Sequence, residues 1–213
     1  MEAKQMAERP ISQRGRKWRL LRDAVILLLT LVFLAVTLDF PMLTARQALR
    51  ATQTRYYWED SQVVADLGSG PLYDRQYLLR MGNWYAWCGL SREGLLWDSG
   101  TLVSLYRDPE QPLSAVTPHN LGVVLVLAGD PDIVQVEVEY PVLVSESDAG
   151  RVYGLNTLRQ DPAADGCFWF QLTGNLLPAY YMDRIRLRGY DADGRLIYQS
   201  PEPESWTTRY ELR

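Results

Sequence analysis

Residues 121–140 read LGVVLVLAGDPDIVQVEVEY, and their pattern decides the fold. Leu121–Ala128 is apolar without a break, consistent with a buried strand. Gly129-Asp130-Pro131-Asp132 turns the chain. Ile133–Tyr140 then alternates, with Val134, Val136, Val138 and Tyr140 opposite Gln135, Glu137 and Glu139. Period two of this kind marks a strand with one face on a core, and it places the two acids in water.

Working outward toward the carboxyl end, Arg151–Leu158 reads as a weaker strand. Cys167–Thr173 is a further strand, with Phe168, Phe170 and Leu172 on one face. Leu176–Met182 suits a helical turn. Arg184–Tyr190 and Arg195–Gln199 form a hairpin about Asp191-Ala192-Asp193-Gly194, and the tail PEPESWTTRYELR supplies a last edge strand. In the other direction, residues 108–120, DPEQPLSAVTPHN, lack periodicity and read as a boundary or a long loop. Before them lies a meander of short strands from Ser61 to Arg107, turned at Gly68-Ser69-Gly70-Pro71, Gly82-Asn83 and Ser91–Gly94. Thr44–Trp58 reads as a helix capped by Thr44.

The expected class is therefore mainly β: a short lead-in helix, then an antiparallel sandwich, Ig-like in its strand count. The expected segments are a basic tail over 1–23, an anchor over 24–43, the lead-in helix over 44–58, a meander over 59–110 and a sandwich over 120–213. The one-domain alternative joins the last two over 59–213.

The amino-terminal side is of another kind. Ala24–Leu38, AVILLLTLVFLAVTL, carries no charge. A bilayer core about 30 Å thick needs roughly 20 helical residues, so a span must continue through Asp39, Pro41 and Leu43. A cleaved signal peptide and a soluble core helix are the rival readings. No A-x-A-like site follows the run, and it is apolar on every face, so the expectation is an uncleaved transmembrane anchor. Arg14, Arg16, Lys17, Arg19 and Arg22 precede it, against Arg46, Arg50 and Arg55 beyond. That excess puts the amino terminus in the cytoplasm and the body outside the cell membrane.

Residues 1–23 carry a net charge of +4 and the remainder −8. The acidic body argues against nucleic acid as a partner. Two cysteines, Cys88 and Cys167, are placed to form a disulfide in an extracytoplasmic body. Against it, strand alternation sets Cys167 opposite the Phe168–Phe170 face; two buried thiols are the other reading. His119, the sole histidine, has no second ligand nearby in sequence. Asp191-x-Asp193-Gly194 lacks the later donors of a calcium loop. Glu137 and Glu139 sit about 7 Å apart on one strand face, a spacing a glycosidase pair tolerates, though alternation alone explains them. No metal, cofactor or catalytic residue is expected. The candidate binding residues are Trp84, Tyr85, Trp87 and Trp97, because exposed aromatic platforms bind sugar rings or partner chains.

The segments RQALRATQTRYYW (46–58), NWYAWCGL (83–90) and GLLWDSG (94–100) resemble uncharacterised single-pass membrane proteins of Gram-positive gut bacteria. The resemblance implies a bacterial plasma membrane with the body facing the wall. It brings no activity, and it weakens the expectation of a disulfide. The functional expectation is a binding or scaffolding domain of the cell envelope, whose partners are the bilayer and a cell-wall glycan or envelope protein. A peptidoglycan-binding module using exposed tryptophans is the alternative, and a hydrolase using carboxylates alone is the third reading.

Overall fold

The computed structural model describes residues 13–37, 42–117, 122–147, 150–173, 184–210 and 212. The expected helical turn at Leu176–Met182 and His119 lie outside them. Helix α1 spans Gln13–Thr37. From Trp18 to Phe33 its large apolar side chains are all exposed, Leu29 and Phe33 by more than 60%. Its uncharged part, from Ala24 to Thr37, would extend about 21 Å at 1.5 Å per residue. No helix among the described residues is long and apolar enough to cross a membrane. Residues 38–41 of the expected span lie outside the described residues. Met42, also placed in that span, meets the body instead: the Trp97 N–H donates to its carbonyl at 2.8 Å.

Helix α2, Ala45–Arg55, starts where Thr44 caps it. The Thr44 hydroxyl accepts from the Gln47 N–H while the Gln47 side chain accepts from the Thr44 N–H, a reciprocal capping box. Ala48, Leu49 and Thr52 face inward. Tyr57 takes a positive φ of 60° and ends the helix, turning Trp58 into the core.

The strands follow as β1 (Gln62–Gly68), β2 (Arg75–Met81), β3 (Trp84–Leu90), β4 (Arg92–Glu93), β5 (Leu96–Trp97), β6 (Thr101–Tyr106), β7 (Leu113–Val116), β8 (Val123–Ala128), β9 (Gln135–Ser147), β10 (Gly150–Gln160), β11 (Cys167–Gln171), β12 (Arg186–Tyr190) and β13 (Leu196–Gln199). All pairings are antiparallel. They build sheets in the orders β1-β2-β3-β6, β11-β8-β7 and β10-β9-β12-β13, with β4-β5 as a small ribbon. A short helix, α3 (Glu204–Thr208), closes the chain where an edge strand was expected. Trp206 explains the difference: it is buried, and its indole N–H donates to the Arg184 carbonyl at 2.9 Å.

Side-chain parity stacks these sheets in layers. Tyr85 and Trp87 of β3, with Leu78 of β2, pack on Val123, Leu125 and Leu127 of β8. The alternate residues Ala86, Cys88 and Leu90 pack on Ala48 and Leu49 of α2. On the far side of β8, Val124 and Val126 join Phe168 and Phe170 against Val136, Val138, Tyr140 and Leu187. The order of layers is thus α2, first sheet, β11-β8-β7, then the β10-β9-β12-β13 sheet. Both faces of β8 are covered, and every one of its residues is buried.

Strand β7 falls inside the stretch read as a boundary or long loop. Four residues are too few to show a period, and pairing with β8, not their own pattern, makes them a strand. Glu137 and Glu139 are also not in water as expected. Glu139 stands opposite Arg186 and Glu137 opposite Arg188 in the β9–β12 register. The Arg188 Nη1 lies 2.6 Å from Glu137, and the Arg186 Nε donates to Glu139 at 2.7 Å. Cross-strand ion pairs of this kind fix register, because a one-residue slip would separate every pair.

The buried Trp87 carries a polar dependence: its indole N–H donates to the buried Gln76 Oε1 at 2.9 Å. Trp87→Ala removes a large core side chain and orphans that amide. It is expected to cost about 3–5 kcal/mol, against less than about 1 kcal/mol for the half-exposed Trp84→Ala. Urea unfolding of the two variants measures the difference.

Candidate functional site

The layers end side by side, and their edges frame a groove. The β6 edge of the first sheet, β7 of the central sheet and β13 of the last sheet leave a cleft of about 530 Å³ between them. Trp84 and Tyr106 stand opposite each other in the β3–β6 register. Their rings meet edge to face at 5.2 Å, and both are more than 40% exposed. Tyr198 of β13 lines the cleft from the last sheet. Asp108, Gln111 and Ser114 add polar groups; the Ser114 hydroxyl donates to the Gln111 Oε1 at 3.1 Å, so the Gln111 amide NH2 remains as a donor. Aromatic faces beside amide, hydroxyl and carboxylate groups match the two chemistries of a sugar ring, apolar C–H faces and a hydroxyl rim.

Of the four aromatics singled out from sequence, only Trp84 reaches this groove. Tyr85 and Trp87 are fully buried against β8, and Trp97 packs partly buried on the α2 cluster. Tyr106 and Tyr198 were missed because they come from other strands, and nothing local in the sequence marks them as neighbours of Trp84. Alternation in β3 does separate Trp84 from Tyr85 and Trp87. It does not say which faces a second layer covers.

A second polar knot ties the first sheet to the loop before β11. The Tyr85 hydroxyl donates to the Asp165 Oδ2 at 2.9 Å, and Arg80 meets the same oxygen at 3.0 Å. Arg107 reaches the Asp165 backbone carbonyl and carboxylate, and its guanidinium lies 4.4 Å from the Tyr85 ring centre. Asp165 and Gly166 both take positive φ, which turns the loop so that one carboxylate serves three donors. The Tyr85 hydroxyl, and then Arg107 and Arg80, hold the Asp165 carboxyl below its ordinary 3.8. Burial, and then donation to Asp165, raise the Tyr85 phenol above 10.

The expected Cys88–Cys167 bridge is not formed. Both are free, buried thiols. Cys88 faces α2 from one side of the first sheet, while Cys167 lies in the cluster on that sheet's other side. The strands keep them in separate layers, and burial pushes each thiol up to about 12. The Glu137–Glu139 pair, tied to Arg188 and Arg186, is not presented to a substrate as a glycosidase pair would be. The Asp191–Gly194 segment is the expected hairpin turn: Asp191 Oδ1 accepts from the Asp193 and Arg195 N–H groups. Among the described residues, no group of three or more His, Cys, Asp or Glu is placed to hold a metal ion.

Fold and groove together define a mainly β protein of stacked antiparallel sheets behind an exposed amino-terminal helix. The chain belongs to a family described as a domain of unknown function, DUF5044, whose model matches residues 41–210, the body without α1. No curated protein and no solved structure matches it.

Two measurements check these sites. Non-reducing mass spectrometry is expected to find both cysteines free, with alkylation at neutral pH appearing only on unfolding, since a thiol near 12 holds almost no thiolate. For Asp165, a lowered folded pKa gives stability that is present above 3.8 and lost as pH falls through the folded value. Asp165→Asn should therefore destabilise at neutral pH and flatten the acid limb below about pH 4, as followed by thermal melts across pH.

Proposed function

We propose that this protein is a non-catalytic binding module of the cell envelope, tethered to the membrane by its amino-terminal helix, with its body outside the cell and the edge groove as its binding surface. The observation that carries the reading is the Trp84–Tyr106 pair, two large rings left half exposed in a groove that also holds Tyr198, Asp108 and Gln111. A core residue has no reason to stay wet; a ring platform beside polar groups does. The ligand class that fits is a cell-wall saccharide, whose C–H faces stack on the rings while its hydroxyls bond the rim.

The tethering rests on α1. A helix with Leu27, Leu28, Leu29, Leu31, Val32 and Phe33 all exposed requires an apolar cover. Arg16, Lys17, Arg19 and Arg22 at its start suit the anionic inner leaflet, at about 1 kcal/mol per cation near the surface, and the charge excess on that side sets the orientation.

The test uses the full chain in detergent micelles, titrated with soluble peptidoglycan fragments and a glycan panel while tryptophan fluorescence is followed. Saturable quenching is expected, with Trp84→Ala or Tyr198→Ala weakening binding about thirtyfold, the effect of losing an anchor worth about 2 kcal/mol. Neither variant should move the melting temperature by more than a few degrees. Unaltered affinity in Trp84→Ala would remove the groove from the reading. Flotation with lipid vesicles checks the tether: the chain should rise with the lipid at high salt, and a protein left at the bottom would refute it.

A further inference from the structure

A second groove, of about 440 Å³, lies between α2 and the start of β1. Arg46, Leu49, Arg50 and Gln53 line it from α2, the two arginines one helical turn apart, and Val63 lines it from the edge strand. The groove is built, not incidental. The Gln53 amide donates to the Ser61 hydroxyl at 2.8 Å, and that hydroxyl donates to the Trp58 carbonyl at 2.6 Å, so α2 and the strand are locked at a fixed separation. Both arginines are exposed, and neither forms an ion pair among the described residues.

Charge and place point to one occupant. Arg46 sits in the first turn of α2, which contains no acidic residue. With Arg50 one turn further on, two guanidiniums face the groove, and they favour an anion such as a phosphate beside them. Glu59 is the one carboxylate lining the groove, and it leaves a net positive charge. The location follows from the chain. Met42 is bonded to the body through Trp97, five residues after α1 ends at Thr37, so the end of the apolar helix lies within about 18 Å of that bond. Arg46 follows Met42 by four residues. If α1 is held in lipid, this groove opens close to the outer headgroups.

We infer that the Arg46–Arg50 groove binds the headgroup of an anionic phospholipid on the outer face of the membrane, and so seats the body on the bilayer. The phosphate takes the two guanidiniums. Glu59 accepts hydroxyl hydrogens from a polyol headgroup, which makes phosphatidylglycerol the fitting probe. This inference rests on the tethering reading, because a free body would have no reason to meet a headgroup at this point. The apolar lining of Leu49 and Val63 suits the glycerol backbone of a lipid and offers nothing to a free phosphate ion.

The experiment uses the full chain in nanodiscs of phosphatidylcholine, with or without phosphatidylglycerol, and reads amide exchange over residues 45–55 and 59–64. Phosphatidylglycerol is expected to slow exchange there by up to roughly thirtyfold, the factor that two cations at an anionic surface give. The double variant R46Q/R50Q should lose that difference while still co-purifying with the discs and melting as the parent does. Equal exchange in the two lipids, with the chain inserted, overturns the groove and leaves the tether standing. A chain that fails to enter discs of either lipid overturns the tether first, and the inference with it. Equal protection by soluble glycerol 3-phosphate on the detergent-solubilised chain overturns the lipid as the ligand.

Discussion

The structure depends on one constraint: strand β8 has to be dry on both faces. Its six residues are buried whichever way they point, odd ones against Tyr85, Trp87 and Leu78, even ones against Val136, Val138 and Tyr140. Antiparallel sheets commonly leave one face to solvent. Here β8, at the centre of the β11-β8-β7 sheet, leaves neither face to solvent, and this joins the sheet packings on its two sides into one stack. Sequential covering gives each outer sheet an inner face of its own, and α2 covers the remaining face of the first.

That stacking explains where the polar interactions fall. Loops joining different layers need fixed anchors, and the Asp165 carboxylate provides one by gathering Tyr85, Arg80 and Arg107 from the first sheet at the mouth of β11. Within the last sheet, Arg186 and Arg188 face Glu139 and Glu137 across the β9–β12 ladder, and Arg186 also lies 4.9 Å from the Trp206 ring of α3. Ion pairs this buried contribute little net stability once desolvation is counted, but breaking one leaves a stranded charge. Their use here is to make a slipped register costly.

Where layers stop, their edges cannot all be covered. The groove of Trp84, Tyr106 and Tyr198 lies at one such place, and the Arg46–Arg50 groove lies at another, between α2 and the start of β1. The two differ in chemistry: one offers rings and neutral donors, the other guanidiniums next to the chain that leads to α1. A body held through the second would leave the first free.

Sequence alone determined the class of the fold and most of its strands, because alternation and turn residues are local properties. The turns at Gly82-Asn83 and Asp191–Gly194, the Thr44 cap and the apolar run of β8 are all legible without coordinates. Partners in space are not. Whether Trp87 is wet or dry depends on β8, which lies 36 or more positions later and presses on only one side of β3. The same placement keeps Cys88 and Cys167 in separate layers, turns Glu137 and Glu139 toward arginines some 50 positions away, and brings Tyr198 within one groove with Trp84. A strand's period says that it has two faces. What covers each face is decided by the stacking of sheets, which is a long-range property of the chain.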